Sequence, residues 1–382
     1  FDYEQKFDGT SLTRENFRVS EAEFAAAYEA VSPELLVSLK KAINNIYAYH
    51  SRAGRKDSVE THDGRTTGYV VRPVSAAGIY APGGTAPLSS SVLMGVLPAK
   101  AAGVERIVLA TPAKNGIVAP LTLVAAKECG VSEVYKMGGA QAIAALAYGT
   151  QSVKKVDVIA GPGNIYVTLA KKEVYGEVGI DMLAGPSEIL IIADESANAR
   201  YVAADVLSQA EHDVLARAIL VTPSMALAEA VAEEVELQLE RLPRKEVVRK
   251  SIDTSGGIIV VDNLREACAL ANTVAPEHLE ICTAHPEALL PSITHAGAVF
   301  LGHYTPEPVG DYFAGPDHIL PTSGSAKFFQ VLNEDTFTRK MSVISYTKEA
   351  LFADGVDIVR LAKSEQLDAH ANAVAIRMEE EK

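Results

Sequence analysis

Cysteine is scarce in this sequence of 382 residues, which contains three cysteines and no CxxC pair. Cys129, Cys268 and Cys282 are far apart, and each lies among apolar residues. Isolated cysteines in such surroundings are typical of buried, reduced side chains rather than of disulfides or catalytic thiolates. Any metal ion in this protein should therefore be held by nitrogen and oxygen ligands.

Basic residues are also few: 35 lysines and arginines stand against 49 acidic residues, for a formal net charge of −14. A chain this acidic is repelled by phosphate backbones and anionic lipid, so we expect neither nucleic acid nor a membrane as a partner. No apolar run is long enough to span a bilayer, and residues 1–4 (FDYE) do not resemble a secretion signal. A cytoplasmic protein is expected.

The composition, 48% hydrophobic and 22% charged, is that of a globular protein large enough for two domains. Helical apolar spacing runs from Val19 to Ala53, and β-rich runs alternate with Ala-rich helical ones from Val70 onward. Such alternation predicts parallel sheets covered by helices, and two sheets hold this many strands more easily than one. A short echo between residues 108–112 (VLATP) and 219–223 (ILVTP) agrees with two related units.

The predicted fold is therefore α/β, with two Rossmann-like parallel-sheet domains and small helical segments at both ends. We predict that residues 55–67 are turn-rich and that the segment from about Leu332 is helical. The predicted parts are an N-terminal helical segment (1–22), a first α/β domain (23–78 and 189–331), a second α/β domain (79–188) and a C-terminal helical segment (332–382).

Four glycine-rich stretches are candidate ligand sites, because ligands of open α/β sheets bind beyond the carboxyl ends of strands. Glycine lets the backbone approach a ligand, and a following helix offers free N–H groups to an anion. Taken singly, each stretch is better explained as a tight βα turn. The dinucleotide fingerprint GxGxxG is absent, since Tyr166 occupies its third glycine position in the nearest match. The stretches are residues 80–84 (YAPGG), 138–141 (GGAQ), 161–164 (GPGN) and 185–188 (GPSE).

Two pairs of polar residues are candidates for chemistry. Gln209 and His212 are three residues apart at a predicted helix end, so they share a face and could grip one ion. On spacing alone, a surface helix end with a histidine near its dipole is the simpler interpretation. Glu277 and His278 are adjacent before a strand and are suited to successive proton transfers, although a polar loop is about as good an explanation.

Two further segments are less regular. Residues 310–318 (GDYFAGPDH) place Asp311 and His318 in a predicted loop, where such groups tend to be functional. Residues 365–370 (EQLDAH) contain Glu365 and His370, which helix geometry does not bring to one face. A solvated helix face is the plain interpretation of that last segment.

In this order, the segments resemble the histidinol dehydrogenase family, and the match extends from about Val19 to Arg377. The motifs that carry the resemblance are residues 78–84 (GIYAPGG), 161–164 (GPGN), 185–188 (GPSE), 208–212 (SQAEH), 276–279 (PEHL), 310–312 (GDY) and 365–370 (EQLDAH). The resemblance implies NAD-dependent oxidation of L-histidinol through L-histidinaldehyde to L-histidine, the last steps of histidine biosynthesis.

The resemblance also implies a role for each candidate. One Zn²⁺ per subunit would position the substrate, His278 would act as the general base, and Glu277 would activate a water molecule. The remaining roles follow the same match. The implied zinc ligands are Gln209, His212, Asp311 and His370; the substrate contacts are Ser187, His318 and Glu365 beside these ligands and His278; the NAD contacts are Tyr80, Gln141 and Asn164.

Family members are homodimers with shared active sites, so His370 and Glu365 are expected to complete the partner's site. Asp317 stands where the family more often has asparagine, and a carboxylate there is expected to raise the pKa of the neighbouring His318. Two other functions remain open. One is a related zinc and NAD dehydrogenase of another small diol or amino alcohol. The other is a catalytically dead binding protein, which would need neither Glu277 nor His278.

Overall fold

The structure is a computed structural model that describes residues 1–54, 56–83 and 88–379. The chain forms two compact units, of which the first comprises Phe1–Gly54 and Val74–Phe337. The second contains residues 56–73 and 338–379 within the described part of the chain. Each unit is described separately below.

The strands of the described residues form two parallel sheets of five strands and one sheet of three strands. They are β1 (Ser58–His62), β2 (Arg65–Pro73), β3 (Ala76–Tyr80), β4 (Arg106–Thr111), β5 (Glu133–Lys136), β6 (Val158–Ala160), β7 (Gly179–Ile180), β8 (Glu188–Ala193), β9 (Arg217–Thr222), β10 (Gly257–Val260), β11 (His278–Cys282), β12 (Ala298–Leu301) and β13 (Thr338–Tyr346).

Helices cover the parallel sheets of the first unit, and the last two helices belong to the second unit. They are α1 (Asp2–Asp8), α2 (Glu21–Ala30), α3 (Pro33–Ala53), α4 (Ser90–Ala101), α5 (Pro120–Glu128), α6 (Gly139–Tyr148), α7 (Ile165–Val174), α8 (Ala199–Ala210), α9 (Met225–Leu239), α10 (Lys245–Ser255), α11 (Leu264–Val274), α12 (Pro286–Leu289), α13 (Glu307–Tyr312), α14 (Lys348–Ser364) and α15 (Asp368–Met378).

The two parallel sheets have the same topology. Their strand orders are β5-β4-β3-β6-β7 and β10-β9-β8-β11-β12. In each sheet the chain first moves outward from the central strand and then returns to its other side. The echoing residues 108–112 and 219–223 begin in β4 and β9, which occupy equivalent places in the two sheets. The predicted α/β fold with two related parallel sheets is confirmed.

The central strands β3 and β8 are buried along their whole length. Each sheet has an apolar cluster on both faces, because parallel strands between two helix layers expose neither face to water. Ile79 and Ile191 are fully buried examples. Burying one such side chain contributes about 1.5–3 kcal/mol, so this core fixes the strand ends that carry the candidate site.

The second unit differs from the sequence prediction. Residues expected to be only turn-rich form the hairpin β1-β2, and β13 pairs antiparallel with β2 from Thr338–Pro73 to Tyr346–Arg65. The two-residue turn is Asp63-Gly64, with positive φ at both residues. Asp-Gly is a strong hairpin signal, so this turn was readable from the sequence. The prediction of a wholly helical segment from Leu332 is wrong, since β13 precedes α14 and α15.

Two smaller expectations can be compared with the structure. All three cysteines are buried and free, as predicted. Within the described residues, none of the helices has the length and apolar character needed to cross a membrane. The predicted domain boundaries remain a prediction.

Candidate active site

The first group of candidate residues meets where α8 ends near α13. Gln209 lies in the last turn of α8 and is fully buried, and His212 follows just beyond the helix. Asp311 lies on α13, and Glu307 is on the same face one turn earlier. Ligand atoms of His212, Glu307 and Asp311 all lie within 4.8 Å of one another. The fold thus brings three of the four predicted metal ligands, Gln209, His212 and Asp311, to one place.

Glu307 was not singled out by the sequence analysis. Its side chain is 1% exposed, and its carboxylate accepts hydrogen bonds from the Gln209 amide nitrogen at 3.0 and 3.2 Å when that amide is oriented to satisfy its neighbours. Its backbone N–H donates to Oε1 of Glu280 at 2.7 Å. The spacing of four residues between Glu307 and Asp311 was the available sequence signal.

His278 and Glu277 lie beside this group at the start of β11. Nε2 of His278 is 3.7 Å from Oδ1 of Asp311 and 3.9 Å from Oε1 of Glu307. Nδ1 of His278 is 3.2 Å from the carbonyl oxygen of Glu188 and 3.6 Å from Oε2 of Glu277. Glu277 accepts a hydrogen bond from the Glu188 N–H at 2.8 Å. These backbone contacts fix both side chains.

The pKa values of Glu277 and His278 are set by burial and by the carboxylates around them. Burial raises the pKa of Glu277 to about 8. Burial by itself would lower the pKa of His278, but the carboxylates of Glu277, Asp311 and Glu307 outweigh it and raise that pKa to about 10. The raised pKa of His278 shows that the carboxylates around it stabilise positive charge at this place, which favours a bound cation.

His318 also reaches the site. Its Nδ1 is 4.0 Å from Oδ1 of Asp311, and its Nε2 is 3.5 Å from the Ser91 hydroxyl. The expectation that Asp317 raises the pKa of His318 is wrong, because burial lowers the pKa of His318. The Asp317 carboxylate instead accepts a hydrogen bond from the N–H of Ile319 at 2.7 Å, and burial raises its own pKa well above the usual range. The carboxylate that acts on the pKa of His318 is that of Asp311, not that of Asp317.

The position of Ser187 corrects one premise of the sequence analysis. Residues 185–188 lead into β8, so Ser187 lies at the amino end of that strand, as His278 does for β11. The metal and catalytic candidates therefore gather at the amino edge of this sheet, not at the carboxyl edge. The reason is that α8 runs back from the far end of β8 and delivers Gln209 to the amino edge.

The predicted NAD contacts lie at the carboxyl edge of the other sheet. Tyr80 ends β3, Gln141 lies in the first turn of α6 after β5, and Asn164 caps α7 after β6. β3 and β6 are the neighbouring strands at which the strand order reverses, the usual place for a nucleotide. The Gly139 N–H donates to the Tyr80 hydroxyl at 3.1 Å, and the Gln141 amide donates to buried Glu4 at 2.7 Å.

Glu365 and His370 lie in the second unit. Glu365 follows α14, and His370 is in the first turn of α15; both are exposed. The helix break between them contains Gln366 with φ of 61°. The two residues are therefore on different helices, in agreement with the expectation that one helix face does not carry both. Their part in the site of the first unit remains a prediction.

The first-unit cluster has the donors that a divalent cation requires. Within the residues that the structure describes, Oδ1 of Asp311 and Nε2 of His278 are buried and have no hydrogen-bond partner. Buried polar atoms without partners are costly, so both atoms point to a missing ligand. A mixed set of imidazole, carboxylate and amide donors suits Zn²⁺ and also Mn²⁺ or Co²⁺.

A second acidic group lies behind this cluster. Ligand atoms of Asp205, Glu280 and Cys282 lie within 4.8 Å of one another. Burial raises the pKa of Asp205 to about 6 and that of Glu280 well above its usual range, while burial also raises the pKa of the Cys282 thiol. The Glu280 carboxylate accepts the hydrogen bond from the Glu307 N–H, so this group supports the start of α13.

Comparisons with known proteins find the same family over nearly the whole chain. A family model of histidinol dehydrogenase matches residues 1–378. The histidinol dehydrogenase of Heliobacterium mobile is 56% identical over 381 residues, 99% of this chain and 89% of the relative. That of Caldanaerobacter subterraneus is 54% identical over 377 residues, 99% of this chain and 88% of the relative. The crystal structure of histidinol dehydrogenase from Elizabethkingia anophelis is similar with a TM-score of 0.95 at 41% identity, covering 99% of this chain and 87% of that chain.

Proposed function

Because this chain belongs to the histidinol dehydrogenase family, we propose that it oxidises L-histidinol through L-histidinaldehyde to L-histidine. Each oxidation transfers one hydride, so the complete reaction consumes two NAD and one water molecule and gives two NADH. The observation that carries this proposal is the buried pair Glu277 and His278 against the Gln209, His212 and Asp311 cluster. Such a pair supplies the two proton-accepting groups that two successive oxidations need.

The proposed cation ligands in the first unit are Gln209, His212 and Asp311, and the fourth is His370. A bound Zn²⁺ would hold the amino and imidazole nitrogens of the substrate and would lower the pKa of His278 through its positive charge. Glu307 orients Gln209, because a carboxylate that accepts from the amide nitrogen leaves the amide oxygen free for a cation.

We assign the first proton transfer to His278. Its Nε2 faces the cluster and has no hydrogen-bond partner in the described part of the site, so it is free to accept the alcohol proton as the hydride leaves carbon. Its Nδ1 lies 3.2 Å from the carbonyl oxygen of Glu188, which fixes the ring with Nε2 toward the cluster.

We assign the activation of water to Glu277. The aldehyde must add water before it can lose a second hydride, and a carboxylate is a suitable base for that addition. Glu277 is buried and is anchored through the N–H of Glu188, so its position does not depend on the substrate. Ser187, His318 and Glu365 are the remaining proposed substrate contacts.

NAD is proposed to bind at the carboxyl edge of the β5-β4-β3-β6-β7 sheet, in contact with Tyr80, Gln141 and Asn164. The switch point between β3 and β6 and the amino end of α7 suit a dinucleotide, although the GxGxxG fingerprint is absent. When bound, the nicotinamide accepts the hydride.

We further propose a homodimer in which Glu365 and His370 of the partner subunit complete each site. An ion shared across the interface would make zinc retention depend on assembly. Three free, buried cysteines also fit a reducing compartment, in keeping with the proposed cytoplasmic location.

One assay tests this function. Purified enzyme loaded with Zn²⁺ is given L-histidinol and excess NAD, and both NADH and L-histidine are measured. We expect two NADH for each L-histidine formed and loss of turnover after chelation. Turnover of another small diol or amino alcohol, with none of L-histidinol, would refute the proposal in favour of a related dehydrogenase. NAD or metal binding without any turnover would favour a binding protein.

A further inference from the structure

The loop of residues 161–164 (GPGN), between β6 and α7, is held by a buried ion pair. Lys171 on α7 and Asp181 after β7 form this pair, and their side chains are 3% and 0% exposed. Neither residue is a proposed contact of substrate, metal or NAD. Removing two charges from water costs free energy, so we expect a fully buried ion pair to have a specific role.

The N–H and the carbonyl oxygen of Gly161 both form hydrogen bonds with this ion pair. The Gly161 N–H donates to Oδ2 of Asp181 at 2.8 Å, and Nζ of Lys171 donates to the Gly161 carbonyl oxygen at 3.0 Å. The Asp181 N–H donates to the carbonyl oxygen of Ile159 at 3.2 Å, so the carboxylate continues the β6–β7 pairing beyond the strand ends. Hydrogen bonds to charged groups are stronger than neutral ones, which makes this a firm attachment.

The attachment matters because the loop turns at a glycine. Gly161 has φ of 120°, a conformation that side-chain-bearing residues rarely adopt, and a Cβ there would be 2.0 Å from the carbonyl oxygen of Tyr80. The loop thus packs directly on the end of β3. Glycine provides this close approach but also has the greatest freedom to leave it.

We infer that Lys171 and Asp181 are positioning residues that hold the nucleotide-binding loop in its binding conformation before NAD arrives. The inference rests on the proposed NAD site, to which both Asn164 and Tyr80 belong. Asn164 is the last residue of this loop, and Tyr80 is the residue on which the loop packs. A loop already ordered loses little conformational entropy on binding, so the pair should act on NAD affinity and not on the metal or substrate.

The test measures NAD binding by calorimetry without L-histidinol, together with steady-state KM values. The variants are Asp181→Asn and the double variant Lys171→Met with Asp181→Asn, which leaves no unpaired buried charge. We expect NAD affinity to fall and KM for NAD to rise roughly ten-fold or more. Zinc content and KM for L-histidinol should stay within about two-fold. Lys155→Met is the matched control, because it removes an exposed ion pair with Glu177 in the same domain.

Folded variants with unchanged NAD affinity would overturn the inference, as would equal rises in both KM values. If wild-type enzyme binds no NAD, the proposed function fails and the inference with it. If the variants do not fold, a measurement on the wild-type protein still tests the inference. Amide exchange at Gly161 in the NAD-free enzyme should be as slow as in β6, and exchange as fast as in exposed loops would contradict a loop held in advance.

Discussion

At the scale of single residues, His278 is the best defined of the proposed catalytic groups. Its ring is fixed by the carbonyl oxygen of Glu188, and its other nitrogen faces Asp311 at 3.7 Å. The sequence identified this residue only through its motif, because an adjacent glutamate and histidine before a strand are also found in ordinary loops. The surrounding carboxylates come from Glu277, directly before β11, and from Glu307 and Asp311 on α13. No local pattern indicates that these elements meet.

Replacement of His278 by glutamine should stop turnover without releasing the metal. We expect kcat to fall by roughly 10²–10⁴-fold, the usual contribution of a general base, while zinc per subunit remains unchanged. Kinetics and metal analysis on one preparation check both parts. His285→Gln is the control, since His285 is exposed at the start of α12. Normal turnover in His278→Gln would exclude the residue as the base.

The pH dependence of aldehyde oxidation should report Glu277. Its pKa is raised to about 8 by burial, and only the charged carboxylate can accept a proton from water. The rate with L-histidinaldehyde should therefore rise with pH up to about 8 and level off above it. In Glu277→Gln we expect this rise to disappear and the rate to drop roughly 10²-fold. A wild-type rate that does not change between acid and alkaline pH would argue against this role.

At the scale of elements, the sequence located most strands and helices of the parallel sheets but not the edge at which the site lies. Residues 185–188 were expected to leave a strand, whereas they enter β8. The sequence pattern of a strand does not show at which edge of the sheet the following helix α8 ends. The strands β1 and β13 were missed because mostly exposed strands lack an apolar face. The Asp63-Gly64 turn was the overlooked signal.

Helix α13 provides a prediction of its own, since it presents Glu307 and Asp311 on one face. Glu307→Gln keeps the shape of the side chain but removes the charge that orients the Gln209 amide. We expect zinc affinity to fall roughly 10–100-fold, as is usual for residues that support metal ligands. Competition with a chelator measures the affinity. Glu287→Gln on α12 is the control, and an unchanged affinity in Glu307→Gln would show that Gln209 is oriented without it.

At the scale of the whole molecule, the family resemblance supplied what local patterns lacked. Gln209, His212, Asp311 and His370 are spread over 162 positions of the sequence, and no periodicity connects them. The first unit brings three of them together around Glu307. The fourth lies in the second unit, and our account assigns it to the site of the partner subunit. This shared site is the central claim.

Hybrid dimers test that claim most directly. One subunit carries His278→Gln and the other carries His370→Ala, each with its own purification tag, and the hybrid is isolated by both tags. Homodimers of either variant should be inactive. A hybrid combines the intact first unit of one subunit with the intact second unit of the other, so it should recover about half the wild-type activity with L-histidinol and NAD. A hybrid as inactive as its two parents would contradict the shared site.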